Sequence, residues 1–203
     1  MLLEHRGYMP TVDPTARIAP NATICGDVTI GALSSVGFGA VLVAESGPIR
    51  IGANCVIMDT AVLRGVRRNA LVIGNNVLVG PRACLTGCTV EDNAFLATGC
   101  TVFNGARIGQ GAEVRINGIV HLRTVLAPGA TVPLGWIAIG DPARILPPDQ
   151  HDAIWAVQKP LDFPGYVFGV TRPPDERSVM PQVMPRYARA LARWHADDRQ
   201  VES

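Results

Sequence analysis

Branched aliphatic residues recur at every sixth position along most of this chain. The pattern runs through Val12, Ile18, Ile24, Ile30, Val36 and Leu42, resumes at Ile51 and Ile73, and continues from Val90 to Val132. A six-residue period over this length suits neither an amphipathic helix nor an alternating strand, whereas it suits the short flat faces of a triangular solenoid. The spacing therefore predicts an all-β fold, a parallel β-helix with three faces per turn.

Small residues usually occupy the position four places after each aliphatic, and Asn, Gly and Asp crowd the turns. Ala22, Ala61 and Ala94 belong to the first class, and they must share the interior because a tight prism has no room for larger groups at that level. Asn54 and Asn76 belong to the second class, where the backbone needs turn geometry or positive φ. Both classes support the three-faced β-helix.

The repeat is lost where the chain turns away at Pro147 and Pro148. We predict a β-helix over residues 10–145 and a C-terminal extension over residues 146–203, with two short helices packed on the β-helix. Asp149 can cap the first helix, and the second is expected near Pro185 to Ala196. Aromatic and aliphatic residues recur in that second stretch at helical spacing, which favours packing along the prism over a ligand role.

The amino-acid composition limits which classes of binding partner are expected. The 203 residues carry a formal charge of +1 with 17% charged residues, so there is no basic excess for binding nucleic acid. The charged N-terminus and the lack of a long apolar run predict a cytoplasmic protein without membrane attachment. Five cysteines are an odd number, which favours free thiols, and Cys25, Cys84 and Cys88 are expected nearer the surface than Cys55 and Cys100.

Three irregularities interrupt the six-residue count. Extra residues occur near positions 48–50 and 69–72, and one residue is missing within positions 85–89. With three faces per turn, one column of aliphatics is followed by outward residues at Cys25, Val43, Arg64, Thr86, Phe103 and His121. Because successive turns stack at about 4.8 Å, Arg64 and Thr86 are predicted to be vertical neighbours.

The segments at 49–52, 57–59, 79–81, 85–89 and 132–143 resemble the gamma-class carbonic anhydrases and their relatives. The likeness extends over about residues 10–145. It implies a left-handed parallel β-helix and a homotrimer with active sites between subunits. In active members of that family, three histidines bind a catalytic zinc or iron ion; the matching positions here are Arg64, Pro81 and Thr86.

That difference changes the expected chemistry, because neither Arg nor Pro can donate a lone pair to a metal ion. We therefore expect no metal at these positions. The resemblance also places the supporting Arg, Asp and Gln of the family at Val43, Glu45 and Met58. Asp59 is retained, and a structural ion pair with Arg50 is favoured for it over catalysis.

Several arginines surround the former metal position. The candidate ligand contacts are Arg64, Arg67, Arg82 and Thr86. Guanidinium groups suit planar anions such as carboxylates or phosphates, and they equally suit ion pairs with Glu45 or Glu91 across a subunit boundary. The candidate catalytic residues are Asp59, Glu45 and His121, although a single histidine more often has a structural role.

Three functions remain open. The first is a metal-free relative of the gamma class that binds a small anionic ligand or runs another reaction between subunits, without a cofactor. The second is an acyltransferase that uses a coenzyme A thioester with His121 as its base, which fold alone does not establish. The third is a non-catalytic structural or assembly subunit.

Overall fold

A computed structural model describes residues 1–66, 68–171, 173, 178–196 and 198–200, and its first 146 residues form three sheets around one apolar core. The chain visits the first, second and third faces in turn and then begins the next coil one level up. Strands on each face therefore pair with strands one coil away and run parallel to them. The parallel β-helix predicted from the six-residue period is confirmed.

The first face contains more of the described strands than either of the other two faces. Its parallel strands are Leu2–Glu4, Thr23–Cys25, Val41–Ala44, Val62–Gly65, Cys84–Thr86, Thr101–Val102, Ile119–Val120 and Ile137–Ile139. Two antiparallel strands border it, Arg144–Leu146 beside Ile137–Ile139 and Arg199–Gln200 beside Leu2–Glu4. The C-terminal segment therefore returns to the first coil of the solenoid.

The other two faces are shorter. The strands of the second face are Thr11–Val12, Val28–Ile30, Ile49–Ile51, Leu71–Ile73, Thr89–Val90, Arg107–Ile108 and Val125–Leu126. Those of the third face are Arg17–Ile18, Ser35–Val36, Val56–Ile57, Leu78–Val79, Phe95–Leu96, Glu113–Val114 and Thr131–Val132. Asn54 and Asn76 lie at the corner between these faces with φ of 56° and 55°, as the turn composition predicts.

The core is a stack of the periodic aliphatics. On the first face, Leu63 pairs in register with Leu42 and Leu85, and all three are fully buried. Ala22 and Ala61 are also fully buried, so the small positions do share the interior. The same register places Arg64 opposite Thr86, which confirms that they are vertical neighbours.

Two cysteines differ from the expectation. Cys25 and Cys88 are buried, whereas Cys84 is half-buried. The missing residue of the fifth coil turns Cys88 into the main core cluster, and burial raises the pKa of the Cys25 thiol to about 11. The expectation that Cys25 and Cys88 lie nearer the surface is therefore wrong.

The C-terminal extension contains helix α1 (His151–Gln158), a short 3-10 turn (Lys159–Leu161), a π-helical turn (Pro164–Phe168) and helix α2 (Met180–Trp194). Gln150, not Asp149, occupies the N-cap of α1. Helix α2 begins earlier than the expected Pro185 because Pro181 fits its first turn, and Pro185 lies inside it. None of the described helices has the length and apolar composition needed to cross a membrane.

Helix α1 packs beside the strand Ile137–Ile139 and covers His121. The side-chain amide nitrogen of Gln158, the last residue of α1, lies 2.8 Å from His121 Nε2. The ring of Phe103 is 5.6 Å from the imidazole, centroid to centroid. Burial lowers the pKa of His121 below its ordinary value.

The aliphatic stack should carry much of the stability. We expect Leu63→Ala to lower the free energy of unfolding by about 2–5 kcal/mol, since it empties a filled layer between Leu42 and Leu85. As a control, Val72→Ala, whose side chain points outward on the second face, should change it by less than about 0.5 kcal/mol. Denaturant unfolding measures both, and equal effects would contradict the assigned core.

The docking of the extension should depend on pH through His121. Because its folded-state pKa is depressed, the neutral imidazole favours the folded state above the unfolded-state pKa of about 6.5. That contribution is lost as the pH falls through the folded-state pKa. We expect His121→Gln to flatten the decline in melting temperature between about pH 7 and pH 5, whereas His151→Gln, at an exposed site, should leave it unchanged.

Candidate functional site

Three loops protrude at the corner between the first and second faces. His5 bridges to Tyr8, and Val66 bridges to Asn69, each through a pair of backbone hydrogen bonds. Residues 45–48 form the loop between them. A Cβ on Gly65 would collide with the carbonyl oxygen of Gly47, so glycine is required there for neighbouring coils to approach. The interruptions near 48–50 and 69–72 thus belong to one place in the structure.

Arg64 and Glu45 form an ion pair beside these loops. The Glu45 side chain is only 6% exposed, whereas that of Arg64 is 37% exposed. A carboxylate buried to this degree requires a charged partner, and Arg64 supplies it from the same chain. Glu91 likewise pairs with Arg107 of its own chain. Both acids thus have an arginine partner within the chain, and the suggested ion pairs across a subunit boundary stay a prediction.

A cavity of about 540 Å³ opens above this ion pair, between the first face and the C-terminal extension. Its polar side is lined by Glu45, Arg64, Arg68, Thr86, Asn104 and Arg186. Three guanidinium groups against one carboxylate leave this side positively charged. Arg68 and Arg186 form no ion pair with another described residue.

The opposite side of the cavity is apolar and comes from the extension. It includes Phe168, Val170, Val183, Tyr187 and Trp194. The Tyr187 ring packs edge-on against Phe168 at 6.2 Å. Tyr187 and Trp194, whose helical spacing favours packing along the prism, therefore also line a cavity.

The extension is attached to the corner loops by polar contacts. The Tyr166 hydroxyl donates to Asn69 Oδ1 at 3.2 Å, and the Arg123 guanidinium lies 5.9 Å from the Tyr166 ring centroid. Near the other end, the Arg6 guanidinium lies 5.9 Å from the Trp194 ring. Such cation–π contacts contribute modestly each, and together they position the apolar wall.

Asp59 and Arg82 lie at another corner, between the third and first faces. Both are exposed, and the Arg82 amide donates to the Asp59 carbonyl at 3.2 Å. The Asp59 carboxylate accepts a hydrogen bond from the Phe38 amide at 2.7 Å. Arg50 pairs with Asp27, at 2.8 Å, so the expected Asp59–Arg50 pair is wrong. Within one chain, this corner does not reach the cavity.

His121 and Arg67 are the remaining candidate residues. His121 lies on the first face two coils beyond Thr86, with Phe103 between them, and it does not line the cavity. Arg67 lies outside the residues that the structure describes. The structure therefore brings together Arg64, Glu45 and Thr86 and separates them from Asp59, Arg82 and His121.

The three positions that match the metal ligands of the family do not supply a zinc ligand set. The Arg64 guanidinium has no lone pair to offer and is held by Glu45. Pro81 has no side-chain donor, and Thr86 offers only a neutral hydroxyl. A catalytic zinc site uses three ligands of the His, Cys or carboxylate type, so the side chains at these positions do not fit one.

Comparison with known proteins agrees with this architecture. No family model matches the chain. Over 157 residues it is 34% identical to gamma carbonic anhydrase 1, mitochondrial, of Arabidopsis thaliana. The aligned region is 71% of this chain and 55% of that protein. The chain thus spans about half the length of this plant relative.

Two bacterial proteins match over most of their length. A carbonic anhydrase of Geobacillus kaustophilus is 30% identical over 159 residues, covering 78% of this chain and 84% of that protein. The crystal structure of a hexapeptide transferase family protein from Anaplasma phagocytophilum superimposes with a TM-score of 0.51 at 32% identity, covering 78% and 90%. Given these matches, the chain belongs to the gamma-class carbonic anhydrase-like family of hexapeptide-repeat proteins.

Proposed function

We propose that this protein is a trimeric relative of the gamma carbonic anhydrases that lacks the catalytic metal site and binds a small carboxylate-bearing ligand in the cavity beside Arg64. The observation that carries the proposal is a guanidinium anchored on a buried carboxylate, at a position where the family resemblance leads one to expect an imidazole. This pair sits at the base of a cavity large enough for a small ligand.

The charge distribution supports an anion. Glu45 neutralises one guanidinium, and Arg68 and Arg186 leave an excess of positive charge on the polar side. Arg presents paired N–H donors that match a carboxylate in two parallel hydrogen bonds. Glu45 then acts as a positioning residue, because its ion pair orients the Arg64 fork toward the cavity.

The opposite wall supports a ligand with an apolar part. Phe168, Val183 and Tyr187 offer carbon surface a short distance from the arginines, and burying apolar ligand surface there contributes about 25 cal/mol per Å². An inorganic anion would leave this wall unused. A short-chain carboxylate uses both sides, and we take it as the ligand class.

The trimer is proposed from family membership. In such an assembly, the corner that carries Asp59 and Arg82 would come from a neighbouring subunit, and these residues would reach the ligand only from there. Any reaction at this site would then proceed without a metal ion, with Asp59 available as an acid or base.

An acyltransferase remains the second candidate, because one match is described as a hexapeptide transferase family protein. His121 would be its base. A general base must come within hydrogen-bond reach of its proton in a bound substrate, and His121 is buried beneath Gln158 and Phe103. This burial favours the anion-binding proposal.

Ligand binding should require both the charge and the arginines. By titration calorimetry, we expect butyrate to bind and butyramide, its uncharged analogue, to bind at least tenfold more weakly. Arg186→Gln should weaken butyrate binding by about 10–100-fold, as expected when a charge-assisted hydrogen bond of about 1.5–3 kcal/mol is lost. The control Arg17→Gln, an exposed arginine on the third face, should bind butyrate normally.

Arg64 is best tested in the double variant Glu45→Gln/Arg64→Gln, since removing the guanidinium alone would leave a buried unpaired carboxylate. This variant should lose butyrate binding while keeping its circular dichroism spectrum. Equal binding of butyrate and butyramide would contradict the proposal. Thermal stabilisation by acetyl-CoA but not by butyrate would favour the acyltransferase, and no stabilisation by either would favour an assembly subunit.

The protein should not hydrate CO2 at the Arg64 position. In stopped-flow measurements with added zinc, we expect no hydration that depends on Arg64 or Thr86, because the side chains there do not hold a metal-bound water. Zinc-dependent hydration that is lost in Thr86→Val would contradict this prediction. That variant keeps the shape of the side chain and removes its oxygen.

A further inference from the structure

His5, His195 and Asp198 converge where the C-terminal segment meets the first coil. His5 Nδ1 lies 2.6 Å from Asp198 Oδ1, and His195 Nδ1 lies 2.5 Å from Asp198 Oδ2. The two imidazole centroids are 5.0 Å apart. Potential ligand atoms of all three residues lie within 4.8 Å of one another. These contacts join residues from opposite ends of the chain.

The hydrogen bonds of His5 indicate that a positive charge belongs between His5 and Asp198. His5 Nε2 lies 3.1 Å from the Glu45 carbonyl oxygen, which can only accept, so this nitrogen carries a hydrogen. In the neutral imidazole, Nδ1 then presents a lone pair toward a carboxylate oxygen. Two lone pairs at 2.6 Å repel unless a positive charge lies between them. A proton or a metal cation would supply that charge.

One metal cation would meet both imidazoles and the carboxylate at once, whereas a single proton joins only one of the two pairs. His5 is 2% exposed, so the packing around its ring fixes the direction of its nitrogens. A neutral imidazole suits a metal ion, and a ligating histidine usually donates its other N–H to a backbone carbonyl or a carboxylate, as His5 does to Glu45. The second-shell hydrogen bond that orients a metal ligand is therefore already in place.

The donor types fit a divalent ion of the zinc class. Two imidazole nitrogens and one carboxylate oxygen are a known zinc ligand set, which leaves a fourth position for water. Zinc at about 2.0–2.2 Å from each donor would require the paired atoms to separate to about 3.3 Å. Asp198 and His195 are partly exposed and lie at the end of the extension, so a shift of this size requires only side-chain movement.

We propose that His5, His195 and Asp198 bind one zinc-type divalent ion, at a site separate from Arg64, and that this ion fastens the C-terminal extension to the first coil. The site would also support the cavity. Trp194, which lines the apolar wall, directly precedes His195, and Glu45 contacts His5 through its carbonyl and Arg64 through its carboxylate.

Zinc titration of untagged, chelator-treated protein against a chromophoric chelator tests the proposal. We expect one zinc ion per chain, and at least tenfold weaker binding in His195→Gln and in Asp198→Asn. His151→Gln is the matched control, because His151 is exposed and also lies beside an aspartate; its zinc binding should equal that of the wild type. Circular dichroism without metal should be the same in all four proteins.

Cobalt substitution identifies the ligands. Absorption of tetrahedral Co²⁺ without a thiolate charge-transfer band would support nitrogen and oxygen ligands, whereas a thiolate band would assign the ion to the cysteines and overturn the proposal. Failure of the wild type to bind zinc, or full zinc binding by His195→Gln, would also overturn it. Butyrate binding by the wild type, measured with and without zinc, reports on the cavity separately from zinc binding, so failure of the zinc site and failure of the anion site are distinguishable.

Discussion

The prism has room for one branched aliphatic and one small residue on each face of each coil, and this constraint governs the rest of the structure. Parallel strands repeat at about 4.8 Å, so the inward residues of neighbouring coils must stack in register, as Leu42, Leu63 and Leu85 do. Any change in the residue count must then be accommodated at a corner. The loops that begin at His5, Glu45 and Val66 all leave the solenoid at the same corner, and the ion pair of Glu45 with Arg64 lies beside them.

The same register that stacks the core also stacks the outward residues. Arg64 lies beside Thr86 because Leu63 lies beside Leu85. An outward position of this kind can carry a guanidinium without disturbing the layer beneath it. The charge of Arg64 is balanced by Glu45 from the preceding coil. Since a buried ion pair gives little net stability, its role is better sought in the cavity that it faces.

The C-terminal extension turns one exposed face of the solenoid into the floor of a cavity. Its helix α2 supplies both an apolar wall and Arg186, and its last residues reach His5. Glu45 contacts both polar centres, through its carbonyl to His5 and through its carboxylate to Arg64. The loop that carries Glu45 therefore couples the attachment of the extension to the geometry of the cavity.

Periodicity in the sequence was sufficient to predict the β-helix, the order of the faces, the buried aliphatics and the pairing of Arg64 with Thr86. Each of these follows from a local spacing repeated many times, so a single deviation does not obscure it. The partners of Asp59 and Arg50 were predicted wrongly, because polar contacts between coils depend on the side-chain direction at each corner.

Only the tertiary structure revealed the cavity and the convergence of His5 with Asp198. These two residues are 193 positions apart, and no periodic signal connects them. The same holds for the burial of His121, which the returning extension covers. The sequence by itself determined the solenoid because its pattern is local and repeated, whereas contacts made once between distant segments were decided by how the extension folds back.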